Sequence, residues 1–410
     1  MSMEENDEIR EQGILVAGLD IGTTKICAVI GEVFADRVDV IGVGIAASSG
    51  MRKGVVVNIE STVKSIREAV TKAEDSAGCV IETVFVGIAG NHIKGFNSPG
   101  IIAINNQEIK QKDIEAVIQA AQTVKISANQ QIIHVLPQEY MVDDNTGIQN
   151  PLGMTGVRLV TNVHIVTADV TALHNLVTSC NRAGLQVSEI VLESVASSHT
   201  VLNRDEMELG VALVDIGGGT TDLAIFCNGT IKHTWELALG GNSLTSDLSV
   251  GLRTPLQDAE ELKYMYGGAL SSMIKENLVV EVPTVGDRKP RKVSQRVMVE
   301  ILEARMEEIL QLVNKDLSTS GYRSHLNAGV VITGGTALLA HMVEMAEQVF
   351  DMPVRIGYPH GVGGLVEEVD SPRCTTGVGL LLYGGQAIRS RARGPKGVMG
   401  KLTKWVKNIV

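Results

Sequence analysis

The sequence predicts an α/β protein built from two related lobes, and three observations predict it. Glycine is abundant (43 of 410 residues) while aromatic residues make up only 3%, a composition that suits many tight strand-to-helix turns better than an all-β fold. Apolar runs that read as strands alternate with stretches of helical periodicity. One strand–turn–strand unit also occurs twice: GILVAGLDIGTTKICAVIGE near the start returns as GVALVDIGGGTTDLAIFCNG about 195 residues later, which implies an internal duplication.

The elements follow in order. Residues 1–12 are acidic and polar, with neither the basic nor the apolar segment of a signal peptide, and are expected to be a disordered lead-in. Residues 13–44 read as a three-stranded meander. Residues 60–77 read as a helix, because Val63, Ile66, Val70 and Ala73 recur at helical spacing. TVFVGIAG is the next strand. Ile114, Val117, Ile118 and Ala121 mark a helix over 113–126. Residues 134–159, HVLPQEYMVDDNTGIQNPLGMTGVRL, are rich in proline and glycine and are expected to be irregular or hairpin-like. VHIVTA is a strand, and 171–183 a helix ended by Gly184. After the second copy of the repeated unit, 256–267 and 293–314 read as helices. GVVITGGTALLAHMVEMAEQVF reads as strand, glycine turn and helix, and TTGVGLLLYGGQAI as the last helix.

Composition excludes several classes. A net charge of −11 argues against a general nucleic-acid binder. The five cysteines (Cys27, Cys79, Cys180, Cys227, Cys374) are scattered and form no C-x-x-C pair, so neither a disulfide framework nor a zinc site is expected. No window approaches the ~18 apolar residues of a membrane-spanning helix.

Three loops carry the chemistry. In Asp20-Ile21-Gly22-Thr23-Thr24-Lys25 an acidic residue ends a buried strand and is followed by glycine and hydroxyl residues. Glycine lets phosphate approach the backbone, loop amides form an anion cradle, and the aspartate suits a Mg²⁺ held through water. Taken alone, the motif equally describes a hairpin turn. The second unit, Asp215-Ile216-Gly217-Gly218-Gly219-Thr220-Thr221-Asp222, is more specific, since three successive glycines between apolar strands cost backbone entropy. The third, Thr333-Gly334-Gly335-Thr336, lies at a strand-to-helix turn suited to an adenosine or a phosphate.

This ordered set resembles the superfamily of actin, heat-shock chaperones and sugar kinases. The resemblance implies the actin-like, ribonuclease H-like duplicated fold: two lobes, four subdomains, closing over Mg-ATP. On that basis Asp20, Gly22, Thr23, Thr24 and Lys25 correspond to the first phosphate motif. Asp215, Gly217, Gly218, Gly219, Thr220 and Thr221 correspond to the second, and Gly334, Gly335 and Thr336 to the adenosine motif. Asp20 and Asp215 would hold Mg²⁺ through water. Glu260 and Lys263 match residues that meet ribose and adenine, with a solvated helix face as the alternative. Glu193 matches the position that orients the hydrolytic water, with Asp215 as its partner in positioning water and metal; the alternative for Glu193 is a carboxylate in a first helical turn. Residues 189–202 resemble the first interdomain helix and TTGVGLLLYGG the second.

Within the superfamily, HVLPQEY followed by GIQNPLGMTGVRL resembles the FtsA family of bacterial cell-division proteins, over nearly the whole chain from residue 13. The resemblance implies subdomain 1A at 13–83 and 163–203, an inserted 1C at 84–162, 2A at 204–242 and 313–372, 2B at 243–312, and a helix returning to 1A at 373–388. It implies self-association into filaments, contacts of 1C with later division proteins, and binding of the FtsZ C-terminal peptide on 2B, where Arg291, Arg296 and Arg305 fall at the family's basic contacts. Guanidinium pairs well with a peptide carboxylate; a solvated basic surface is the alternative. ATP turnover is expected to be slow at most, and no metabolic enzyme is implied.

The tail completes the reading. From Arg389 onward there are seven Lys or Arg and no Asp or Glu, leaving −18 on the rest of the chain. Residues 389–397 read as a basic linker. In 398–410, Val398, Met399, Leu402, Trp405, Val406, Ile409 and Val410 share an arc of roughly 140° at helical spacing, with Lys401, Lys404 and Lys407 on the other side. That is the pattern of an amphipathic helix lying in a membrane surface and drawn to anionic lipid; docking on the protein's own body is the alternative. Together these features point to a peripheral protein at the division site, on the cytoplasmic face of the inner membrane. A metabolite or sugar kinase, and a pilus or secretion scaffold, share the fold. The amphipathic tail has no use in the first, and LPQEY argues against the second.

Overall fold

The computed structural model describes residues 13–105, 108–286 and 289–393. The first lobe opens with β1 (Ile14–Ile21), β2 (Lys25–Val33) and β3 (Val38–Ala47), a short ribbon β4 (Met51–Arg52) and β5 (Val55–Val56), helix α1 (Ile59–Ala77) and β6 (Thr83–Ile88). An inserted unit follows: β7 (Lys94–Ala103), α2 (Gln111–Ala121), β8 (Gln130–Val142), β9 (Asn145–Ile148) and β10 (Arg158–Asp169). The chain returns through α3 (Val170–Ala183), β11 (Gln186–Leu192), α4 (Glu193–Val201) and α5 (Arg204–Leu209). The second lobe holds β12 (Val211–Ile216), β13 (Thr221–Cys227), β14 (Thr230–Leu237), α6 (Gly241–Leu252), α7 (Leu256–Tyr266), β15 (Val279–Val282), β16 (Arg291–Ser294), α8 (Gln295–Thr319), β17 (Val330–Thr333), α9 (Met342–Phe350) and β18 (Val354–Ile356). The short β19 (Gly363–Gly364), α10 (Val366–Val369) and α11 (Thr375–Arg393) close the description.

The duplication is a duplication of topology. One sheet runs β11-β6-β1-β2-β3-β19 and the other β14-β13-β12-β17-β18. In each, three antiparallel strands continue into two parallel ones in the same order. Each lobe has its own core, the first around residues such as Leu19, Ile30 and Leu192, the second around Ile216, Leu302 and Phe350. The central strands are apolar on both faces because helices cover both sides. The inserted unit is a third layer with a separate small core (Ile109, Val117, Leu159) and its own sheet, β7-β10-β8-β9.

Two expectations are corrected and one open alternative is decided. Residues 189–192 are not helical: they end β11, whose Ile190 and Val191 pair in parallel with β6, and the helix begins only at Glu193. β-branched residues at a buried sheet edge outweigh the helical reading. For the stretch from 134 the hairpin alternative holds: β8 runs through Pro137 and pairs antiparallel with β9 across the turn at Asp143 and Asp144. That proline is exposed, beside a register shift and outside the part of β8 that β9 covers, so its missing N–H leaves no ladder bond unmade. α2 stops at Ala121 rather than 126, where the β-branched pair Thr123-Val124 follows and the Thr123 hydroxyl takes the Gln119 carbonyl (3.2 Å).

α8 extends to Thr319, carried by a buried row including Leu302, Met306, Ile309 and Val313. α11 continues to Arg393, into the stretch expected as linker. Arg389 anchors it by donating to the carbonyls of Phe34 (2.8 Å) and Arg37 (2.6 Å). The lead-in 1–12 and the amphipathic segment 398–410 lie outside the described residues. Among the described residues no helix is long and apolar enough to cross a membrane.

Candidate functional site

The two repeated hairpins close in the same way, through Gly22 N–H to the Lys25 carbonyl and Gly217 N–H to the Thr220 carbonyl, each 3.0 Å. They then meet across the interlobe cleft. A Cβ on Gly218 would overlap the Thr24 side chain, and one on Gly219 the Thr23 side chain. The glycine run is therefore what allows the lobes to approach here. The Thr336 hydroxyl donates to the Gly217 carbonyl at 2.9 Å, bringing the third loop onto the second. Gly334 has φ +86°, and a Cβ there would collide with Asp215 Oδ1, so only glycine lets the chain pass over that carboxylate. Lys263 Nζ donates to Glu260 Oε2 (2.7 Å), Thr245 Oγ1 (2.8 Å) and the Gly241 carbonyl (3.2 Å), beside Thr336. The three loops with Glu260 and Lys263 thus form one assembly.

Beneath the hairpins lies a set of carboxylates. Asp20 pairs with Lys25 at 2.5 Å. Burial opposes the charge on Lys25, yet the Asp20 charge and hydrogen bond hold its pKa above the ordinary value. Asp215 Oδ2 accepts from Ser197 Oγ (2.9 Å) and Thr376 Oγ1 (3.3 Å), hydroxyls contributed by the two interdomain helices α4 and α11. Burial, with the Asp20 charge adding to it, raises Asp215 to about 6. Glu193 opens the first turn of α4; burial and the charges of Asp20, Asp222 and Asp215 push it well up. The structure thus shows at Glu193 the carboxylate of a first helical turn.

Sequence reasoning missed Glu236 as a site residue. It stands directly opposite Asp222 in the β13–β14 pairing. Burial lifts Glu236 to about 8, and burial and the Glu236 charge raise Asp222, as expected of a carboxyl pair that shares a proton. No motif marks Glu236; only strand register does. Folded, Glu236 keeps its proton to about pH 8, while its ordinary value is 4.5. Folding therefore takes up a proton between those limits, and stability falls as pH rises through that window, by at most ~1.4 kcal/mol per pH unit. Glu236→Gln is expected to raise Tm by a few degrees at pH 8 and to change it little at pH 5. Equal shifts at both pH values in thermal melts would remove the proton from the account.

The three arginines do not converge. Arg296 and Arg305 are nine residues apart on α8, which places them on opposite faces. Arg305 turns toward α6, where Nε pairs with Asp247 at 2.5 Å, while Nη1 pairs with Glu308 three residues on along α8. It lines a cavity of ≈420 Å³ with Thr23, Arg52, Lys53, Gly218 and Gly219. Arg291 is exposed and donates to the Leu252 carbonyl. Arg296 is exposed at the start of α8, with its backbone N–H on Asn277 Oδ1 (3.1 Å).

Comparison with known proteins decides the family. The model for cell division protein FtsA matches residues 212–379, and that for the SHS2 domain inserted in FtsA matches 90–167. The cell division protein FtsA of Pseudomonas aeruginosa is 49% identical over 377 residues, covering 92% of this chain and 90% of the relative. The chain belongs to the FtsA family. The Neisseria meningitidis FtsA is 43% identical (98% and 100% covered), and that of Escherichia coli K12 is 40% identical (96% of each). This is an actin-like cell-division protein, then, and a component of the division complex at its membrane-associated site; the metabolite-kinase reading falls away. Among solved structures, a PilM–PilN type IV pilus biogenesis complex matches with TM-score 0.64 at 15% identity, covering 91% of this chain and 99% of that one. MreB5 of Spiroplasma citri bound to ADP matches with TM-score 0.56 at 15% identity, covering 93% and 99%. At such identities these confirm the actin-like fold and nothing finer. The inserted β7–β10 unit is the part that the SHS2 model covers.

Proposed function

We propose that this FtsA-family chain is an ATP-binding, self-associating tether that holds FtsZ filaments to the cytoplasmic face of the inner membrane. The carrying observation is the meeting of the two phosphate hairpins over Asp20 and Asp215. The residues fit a nucleotide. The amides of Thr23, Thr24, Gly218 and Gly219 donate to no acceptor among the described residues, and such free loop amides cradle phosphate. Mg²⁺ keeps several of its waters and leans on substrate phosphates, so Asp20 and Asp215 would hold it through water. Bound Mg²⁺ would supply positive charge beside these buried carboxylates, and the ATP phosphates would take up the free loop amides. Glu193 would orient a water, and Glu260 and Lys263 would face the adenosine.

The FtsZ C-terminal peptide is assigned to the outer face of the second lobe, the 243–312 subdomain. There Met265, Leu278 and Val279 are exposed around a groove of ≈390 Å³. Exposed Arg291 and Arg296 are the better candidates for its carboxylates, since Arg305 is already occupied by Asp247 and Glu308. The inserted unit is assigned to later division proteins and the segment 398–410 to anionic lipid. Weak binding by one short helix gains strength through avidity once the protein polymerises.

The test is co-sedimentation of purified FtsZ with anionic vesicles, Mg-ATP and this protein. FtsZ is expected to pellet only when the protein is present, and Arg296→Glu to lower the FtsZ in the pellet while the protein itself still sediments. A protein that pellets alone, with FtsZ left in solution, would overturn the tether.

A further inference from the structure

The β4–β5 ribbon turns at Lys53 and Gly54, and both take left-handed backbone, φ 51° and 77°. A two-residue hairpin of this kind favours Asn-Gly, because a Cβ is strained in left-handed backbone and the short polar side chain of asparagine offsets this by bonding locally. Gly54 is required, since a Cβ there would meet the Ala89 carbonyl oxygen at 2.6 Å. Lysine at 53 is not required by the turn. Strain of this sort at the edge of a cleft points to a side chain kept for what it does.

The turn is also tied to the first phosphate hairpin, because Gly54 N–H donates to Thr23 Oγ1 at 3.2 Å. Arg52 and Lys53 line the ≈420 Å³ cavity together with Thr23 on their own side and Gly218 and Gly219 across it. On the far wall Arg305 is neutralised by Asp247 and Glu308. Lys53 is exposed and forms no ion pair among the described residues.

Building on the nucleotide reading above, we infer that Lys53 is a phosphate-binding residue that favours a nucleoside triphosphate over a diphosphate. It sits at the lip of the cradle formed by both hairpins, and its ammonium is a compact point charge. The extra charge of a third phosphate is what such a group recognises, and the hydrogen bond to Thr23 joins the turn to the hairpin.

The test uses Lys53→Asn and Lys53→Arg in the full chain, with Mg-ATP and Mg-ADP affinities and thermal melts. Lys53→Asn is expected to weaken Mg-ATP binding about tenfold or more, the scale of one hydrogen bond to a charged group, and Mg-ADP binding clearly less. Its Tm should match or exceed that of the wild type, since asparagine relieves the turn. Lys53→Arg should keep most of the preference for ATP. An unchanged ATP-to-ADP ratio in Lys53→Asn overturns the inference, as does an equal loss of both nucleotides with a lowered Tm, which marks a structural role. If the wild type binds neither nucleotide, the nucleotide reading itself fails, and the wild-type titration shows this before any variant is compared.

Discussion

Asp215→Asn is expected to weaken Mg-ATP binding by roughly 10–100-fold, the usual cost of losing a group that orients a metal's own shell, while making the folded protein no less stable. Asparagine is nearly isosteric and keeps an acceptor oxygen for the Ser197 hydroxyl at 2.9 Å and the Thr376 hydroxyl at 3.3 Å. The interdomain helices therefore stay in place. What disappears is a carboxylate that burial and Asp20 already disfavour, raised to about 6 in the folded protein against an ordinary 3.8. Folding takes up a proton at Asp215 between those values, so its ionisation destabilises the fold above about pH 6. Removing the charge relieves that cost. The two effects have opposite signs, which separates a role in binding from a role in folding. Calorimetric titration with Mg-ATP and with ATP in chelator, alongside thermal melts at pH 7.5, reads both. An Asn variant that binds Mg-ATP as tightly as wild type would take Asp215 out of the metal's surroundings.

Trp405→Glu is expected to reduce binding to anionic vesicles by at least about 30-fold, with the lobes unaffected. Trp405 lies at one edge of the apolar arc of residues 398–410, beside Val398 and Ile409. Burial of a large apolar side chain contributes ~2 kcal/mol or more, and the replacement adds a negative charge that faces anionic headgroups. Because Lys401, Lys404 and Lys407 add up to ~1 kcal/mol each near such a surface, wild-type binding should also weaken as salt rises. Flotation with vesicles of graded anionic content measures both. A variant that floats as well as wild type would mean that the tail docks elsewhere.

The fold was legible where the signal was local and repeated. The paired DIG hairpins, the third glycine loop and the helical stripe of Val63, Ile66 and Val70 each reside in a few neighbouring residues. Ambiguity entered where a short apolar run fits either period: Glu189–Leu192 reads as part of a helix until parallel pairing with β6 makes it a strand. Pro137 made a strand look irregular because its place in the sheet is not written in the chain.

For this protein the sequence alone determined the duplication, the three loops and the amphipathic tail, since periodicity and loop chemistry depend only on residues close along the chain. Tertiary structure decided which of those residues meet. It set Thr23 and Thr24 against Gly219 and Gly218, Glu236 opposite Asp222, and Lys53 at the lip of the cradle. It also turned Arg305 into the cleft, away from Arg296. Such contacts are fixed by strand register, helix face and lobe closure. All three are set by how segments pack, some of them about 200 residues apart, and the residue types alone do not specify them.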